Sequence, residues 1–139
     1  MTFHLDIITP EKNVFSSEVE ELTVPTVNGQ ISILPHHVAL LTQVVSGEMI
    51  IKQKDKAEPF AITGGFLEVA DNKVSVLADF AIHAEDISVA KAEEAKKRAE
   101  HLMSDKTSEQ DLRMAQAELQ KAILQLHIAH KHKRRTIPQ

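Results

Sequence analysis

Eight histidines are the first residues in this sequence whose type could support catalysis or metal binding. A histidine site needs its ligands on one face and a carboxylate or thiolate to complete the set. His36 and His37 are adjacent, so on a strand they face opposite sides. His127 and His130 share a helical face at i,i+3, but no Asp or Glu follows Glu118. H-E-x-x-H does not occur, and the spacing predicts no metal site. A metal-dependent small hydrolase is carried as a rival reading, decided by the metal content of the purified protein. There is no cysteine, which excludes a thiol nucleophile, a thiolate zinc site and a disulfide framework. Neither G-x-x-x-x-G-K, G-x-G-x-x-G nor G-x-S-x-G is present. Gly64-Gly65 alone reads as a bulge or tight turn. No catalytic residue and no cofactor is assigned.

The other chemically pointed segment is cationic. His130-Lys131-His132-Lys133-Arg134-Arg135 suits the C-terminal end of a helix dipole. Lys131, Lys133, Arg134 and Arg135 are equally suited to docking on an acidic protein surface. Nucleic acid is not the expected partner, because the net charge is −4 and stacking residues are scarce: no Trp, no Tyr and five Phe.

Two regions with different patterns must hold these residues. Residues 1–84 contain all four glycines and carry 11 acids against 5 Lys/Arg. Residues 85–139 carry 9 acids against 11 Lys/Arg, and eight alanines lie between Ala90 and Ala129. In the first region Phe3, Leu5 and Ile7 alternate with His4, Asp6 and Ile8, the period of a strand. Residues 14–24 read as a β-branched strand ended by Pro25. Val27-Asn28-Gly29 is a turn before Ile31 and Ile33, and Pro35 stops that strand. Met49-Ile50-Ile51 leads to a polar tip at residues 52–56, with Phe60 and Ile62 returning. Phe66–Val69 and Val74–Leu77 flank an Asp71-Asn72 hairpin loop. Short strands with turns about every ten residues predict an antiparallel all-β sandwich.

In the second region Ser88, Ala92, Ala95, Ala99 and Leu102 form one heptad seam. Leu112, Ala115, Leu119, Ala122, Leu126 and Ala129 form another. They predict an antiparallel α-helical hairpin, with Thr107 and Gln110 as the capping box of its second helix. An alanine seam covers little area, at about 25 cal/mol per Å². The hairpin is therefore expected to be detachable at a cost of about a few kcal/mol. The domains are 1–84, a sandwich, and 85–139, a two-helix hairpin with a basic tail. The longest clean apolar run, Val38-Ala39-Leu40-Leu41, is far below the ~20 residues of a membrane span. The first residues lack a secretory pattern, so a cytoplasm-like compartment is expected.

Along nearly its whole length the sequence resembles the epsilon subunits of bacterial-type (F-type) rotary ATP synthases. Phe3-His4-Leu5-Asp6-Ile7-Ile8-Thr9-Pro10-Glu11 is similar to the family's first strand and turn. The run from Gly29 through Ile31, Leu34, Pro35 and His37 to Leu40-Leu41 is similar to G-x-x-G-I-L-P-x-H-A-P-L-L. Gly64-Gly65-Phe66-Leu67-Glu68-Val69 matches G-G-F-x-E-V, and Ala117-Glu118-Leu119 with Ala122-Ile123 looks like the second C-terminal helix.

The resemblance implies a non-catalytic subunit of a proton-translocating ATP synthase. Its sandwich would grip the gamma subunit and rest on the c-subunit ring, with Gln30 and His37 at the partner interface. Its hairpin would fold down or extend into the alpha/beta catalytic head and block ATP hydrolysis, the basic tail meeting an acidic segment there. It would sit peripherally on the cytoplasmic face of the bacterial inner membrane. Departures from the pattern are Ser32 for a glycine, Ala39 for a proline and Gln30 for an acid. Some relatives bind ATP in the hairpin through [IL]-D-x-x-R-A and two later arginines. The matching positions here are Ile87, Ser88, Lys91 and Ala92, followed by Lys121 and Gln125. Lysine lacks the two-pronged grip of arginine on phosphate, so ATP binding is expected to be weak or absent. An ATP-sensing module is the second alternative.

Overall fold

The computed structural model describes residues 1–105 and 108–136, and of Arg135 and Thr136 only the backbone. The chain divides into two compact units, Met1–His83 and Ala84–Gln139.

The first unit is a β-sandwich of eight strands: β1 (Phe3–Ile8), β2 (Asn13–Val19), β3 (Glu21–Thr26), β4 (Gly29–Ile33), β5 (Leu40–Val44), β6 (Gly47–Gln53), β7 (Lys56–Ala70) and β8 (Lys73–His83). One layer follows the order β2-β1-β8-β7-β5, and the second joins β7, β6, β3 and β4. Strand β7 belongs to both. Its residues 56–62 pair with β6, and its residues 65–69 pair with β5. Not every pairing is antiparallel as expected: β1 runs parallel to β8, with His4 to Ile8 opposite Lys73 to Leu77. Alternation along each strand sends Phe3, Leu5, Ile7, Leu22, Ile51, Ile62 and Leu67 into one core, all 1% exposed or less.

Turn chemistry sets the register. Lys54-Asp55 and Asp71-Asn72 have positive φ at both positions (50° and 66°, 51° and 60°). That is the two-residue geometry whose twist matches antiparallel strands. Gly64-Gly65 is neither turn nor register bulge, since β7 and β8 stay in phase from Phe60↔His83 to Ala70↔Lys73. It marks where β7 changes partner. A Cβ on Gly65 would overlap the Leu77 carbonyl oxygen, so only glycine lets the two strands approach there.

Two other expectations need correction. Residues 14–24 form two strands, divided at Glu20. The Glu20 N–H donates to the Lys52 carbonyl (2.8 Å), and its carboxylate accepts from the Lys54 N–H (2.9 Å). Pro25 does not end β3; its carbonyl accepts from the Val45 N–H at 3.0 Å, and the strand runs on to Thr26.

The second unit is a helical hairpin. A 3-10 turn at Ala84–Asp86 leads to α1 (Val89–Ser104) and α2 (Glu109–Thr136). Ala92, Ala99, Ala115 and Ala122 are buried to 3% exposure or less, the center of the expected seam. Ser88 is not in the seam. It is the N-cap of α1, and its side chain accepts from the Lys91 N–H. At the start of α2 the Ser108 hydroxyl accepts from the Asp111 N–H at 3.1 Å. The capping box expected at Thr107 lies outside the described residues.

Candidate interaction surfaces

The outward face of the β2-β1-β8-β7-β5 layer carries two kinds of surface. Cross-strand register aligns Ile8 with Leu77, Leu77 with Phe66 and Phe66 with Gln43. One pleat along, Leu41 lies opposite Glu68, which lies opposite Ser75. Leu41 is 71% exposed, Phe66 55%, Leu77 53% and Ile8 36%. These side chains sit at outward positions where alternation would place polar residues. An open groove beside them is lined by Thr9, Pro10, Gln43 and Gly64. Contiguous exposed apolar side chains of this kind mark an interaction site.

The neighboring half of the same face is a polar network. His4 Nδ1 lies 3.0 Å from Glu18 Oε2, and Nε2 lies 3.1 Å from Asp6 Oδ1. The Ser16 hydroxyl donates to Asp6 Oδ1 at 2.6 Å. That hydrogen bond is the main reason the Asp6 carboxyl is held below its ordinary value. Desolvation works against it, while His4 and Lys73 add to it.

Gln30 and His37 are not brought side by side. Gln30 is exposed, one residue into β4, whereas His37 is half-buried and lies beyond the far end of that strand. His36 and His37 are in a turn rather than on a strand, closed by the His37 N–H donating to the Leu34 carbonyl at 3.2 Å. His36 has φ 63°, and its N–H donates to Asn72 Oδ1 at 2.7 Å, tying this turn to the β7–β8 loop. The His37 Nδ1–H donates to the Val38 carbonyl at 2.7 Å, which leaves Nε2 as its outward nitrogen. Val38 and Leu34 on the same turn are 77% and 53% exposed.

In the hairpin, Ile87 donates its N–H to the Ala84 carbonyl, and Lys91 is exposed on the first turn of α1. Ala92 is buried in the seam and Lys121 is half-buried beside Ala122. Lys131, Lys133 and Arg134 lie in the last turns of α2, and the Arg135 side chain is outside the described residues. Among the described residues, no group of three or more His, Asp or Glu is placed to hold a metal.

Sequence reasoning missed Ile8, Leu41, Phe66 and Leu77 as surface residues. The available signal was their outward phase in strands whose other phase is already largely apolar.

The chain thus joins a β-sandwich, whose outward face carries an exposed apolar strip beside a polar network, to a hairpin of two α-helices. Two family models match: "ATP synthase, Delta/Epsilon chain, beta-sandwich domain" over residues 2–84, and "ATP synthase, Delta/Epsilon chain, long alpha-helix domain" over residues 85–130. The ATP synthase epsilon chain of Thioalkalivibrio sulfidiphilus is 39% identical over 138 residues, covering 98% of both chains. That of Dehalococcoides mccartyi is 44% identical over 131 residues, covering 94% of both. In the Euglena gracilis mitochondrial ATP synthase structure of OSCP, F1 and c-ring, one chain superposes with a TM-score of 0.63. It is 19% identical, covering 98% of this chain and 82% of that one. The chain belongs to the ATP synthase delta/epsilon family, as a non-catalytic epsilon subunit.

Proposed function

We propose that this chain couples and regulates a proton-translocating ATP synthase from its central stalk, on the cytoplasmic face of a bacterial inner membrane. The sandwich holds the gamma subunit and rests on the c-subunit ring. The hairpin enters the alpha/beta head and restrains ATP hydrolysis. The observation that carries this reading is the row Ile8–Leu77–Phe66 with Leu41, an apolar strip exposed on an ordered sheet. Covering each of these half-exposed side chains contributes roughly 1 kcal/mol. A flat, rigid apolar strip suits a permanent partner such as gamma. Gln30 and His37 are assigned to the ring side, and a partner touching both must span β4. The cationic end of α2 supplies the contact with an acidic segment of the head. Among the described residues no helix is long and apolar enough to cross a membrane, in keeping with a peripheral subunit.

The test uses the reconstituted ATP synthase with two altered chains. A Phe66→Glu/Leu77→Glu chain folds, because both side chains are exposed, but no longer copurifies with gamma. A chain lacking residues 86–139 still binds gamma and releases hydrolysis from restraint. If the double variant keeps its affinity, the strip is not the stalk contact. If hydrolysis stays restrained without the hairpin, the division of labor is wrong.

A further inference from the structure

The two-residue loop between β7 and β8 needs no amide side chain for its own geometry. Asp71 and Asn72 have φ 51° and 60°, and glycine suits the second place of such a loop best. Asn72 uses its side chain elsewhere. Its Oδ1 accepts from the His36 N–H at 2.7 Å, and its Nδ2 donates to the Thr2 carbonyl at 2.9 Å. Its own carbonyl accepts from the His4 N–H at 3.3 Å. A donor on one side and an acceptor on the other fix which way the amide points. One half-buried side chain thus joins its loop to two stretches that lie 36 and 70 residues away in the chain.

The connection between β4 and β5, residues 34–39, contains His36 with φ 63°, a conformation that side chains other than glycine rarely adopt. Two hydrogen bonds close within this connection: His37 N–H to the Leu34 carbonyl at 3.2 Å, and His37 Nδ1–H to the Val38 carbonyl at 2.7 Å. The His36–Asn72 bond is the one that reaches out of it to the β7–β8 loop. Leu34 and Val38 ride exposed on the same turn.

We infer that Asn72 is a positioning residue for the ring-side contact: through the His36 N–H it fixes where the turn presents Leu34, His37 and Val38 to a partner. The inference rests on the reading that His37 faces the c-subunit ring, and it adds a residue that sets the strength of that contact through another. A turn held in place before the partner arrives has less freedom to lose on binding. Without the amide, binding itself has to order the turn, and affinity falls.

Two variants separate the ties. Asn72→Gly removes both side-chain bonds yet is at ease with φ 60°, so the loop and its backbone bond to His4 stay. Asn72→Asp keeps an acceptor for the His36 N–H but has no donor for the Thr2 carbonyl. Two measurements are made on the full chain. The first is amide hydrogen exchange at His36 in the free protein. The second is titration of purified c-subunit rings with the gamma-bound chain, at salt high enough to screen the charge that Asp adds. In Asn72→Gly, His36 exchange is expected to quicken and ring affinity to fall, each on the order of fivefold, with affinity for gamma unchanged. Asn72→Asp is expected to restore both values. A general loosening of the sandwich would instead weaken gamma binding too, and that result overturns the inference. So does a His36 exchange rate that Asn72→Gly leaves alone, or a failure of Asn72→Asp to rescue. Ring affinity that survives Asn72→Gly but falls in His37→Ala overturns the inference and spares the ring-side reading. If neither variant moves ring affinity, the ring-side reading falls and the inference with it.

Discussion

The sandwich and the hairpin solve the same problem with opposite materials. In the sandwich, Phe3, Leu5, Ile7, Leu22, Ile51, Ile62 and Leu67 are all but fully buried. In the hairpin, the closed seam positions are Ala92, Ala99, Ala115 and Ala122, and Ile128, off the seam, is the large side chain that is fully buried. A buried Leu or Ile contributes about 1.5–3 kcal/mol, whereas an alanine methyl contributes about 0.8 kcal/mol. The sandwich also ties residues far apart in sequence, as when β1 meets β8. The hairpin needs only neighbors along the chain. On the proposed reading, the first unit carries load and the second opens under a modest free-energy change.

The contrast is broken most severely at Gly65. Gly65→Val drives a side chain into the Leu77 carbonyl and is expected to cost more than about 3 kcal/mol, beyond ordinary overpacking. Circular dichroism should show strand signal lost and helix signal kept. Ile51→Ala, from full burial, should cost about 2–5 kcal/mol in a urea melt of the sandwich. Ala99→Leu should cost about 1–3 kcal/mol by forcing the helices apart, seen as a lower hairpin transition at an unchanged sandwich transition. Ser88→Ala removes the α1 cap, with about 1 kcal/mol lost from the hairpin alone.

The smallest effect is acid sensitivity. Because the folded Asp6 carboxyl lies below its ordinary 3.8, its stabilization is present above that value and lost as pH falls through the folded one. Ser16→Ala removes the leading cause, so the sandwich should unfold at a higher pH in acid titration while the hairpin signal is unmoved.

Local grammar made most of the fold legible. The alternation of Phe3, Leu5 and Ile7 announced β1, and Asp71-Asn72 was legible as a hairpin loop, whereas the polar tip expected at residues 52–56 narrows to Lys54-Asp55 because β6 runs on to Gln53 and β7 starts at Lys56. Alanine spacing announced the seam. What escaped was set by distant partners. Pro25 looked like a stop because the Val45 N–H that its carbonyl accepts is twenty residues away in the chain. Gly64-Gly65 looked like a turn because its real constraint, the Leu77 backbone, lies on another strand. The parallel β1–β8 pair has no local signature. The apolar strip was hidden for the same reason: Ile8, Leu77 and Phe66 become neighbors only through cross-strand register. Ser88 fitted the heptad by spacing but ends as a cap, because a serine at a helix start competes for backbone N–H groups.

The parallel pairing of Phe3–Ile8 with β8 also orders events at the ribosome. The amino-terminal strand is made first, yet its inner edge has no mate until the codons for residues 73–77 have been read. The nascent chain therefore has to keep Phe3, Leu5 and Ile7 from finding another edge for most of the translation of this unit. The alanine-seamed helices, born last, need no such wait.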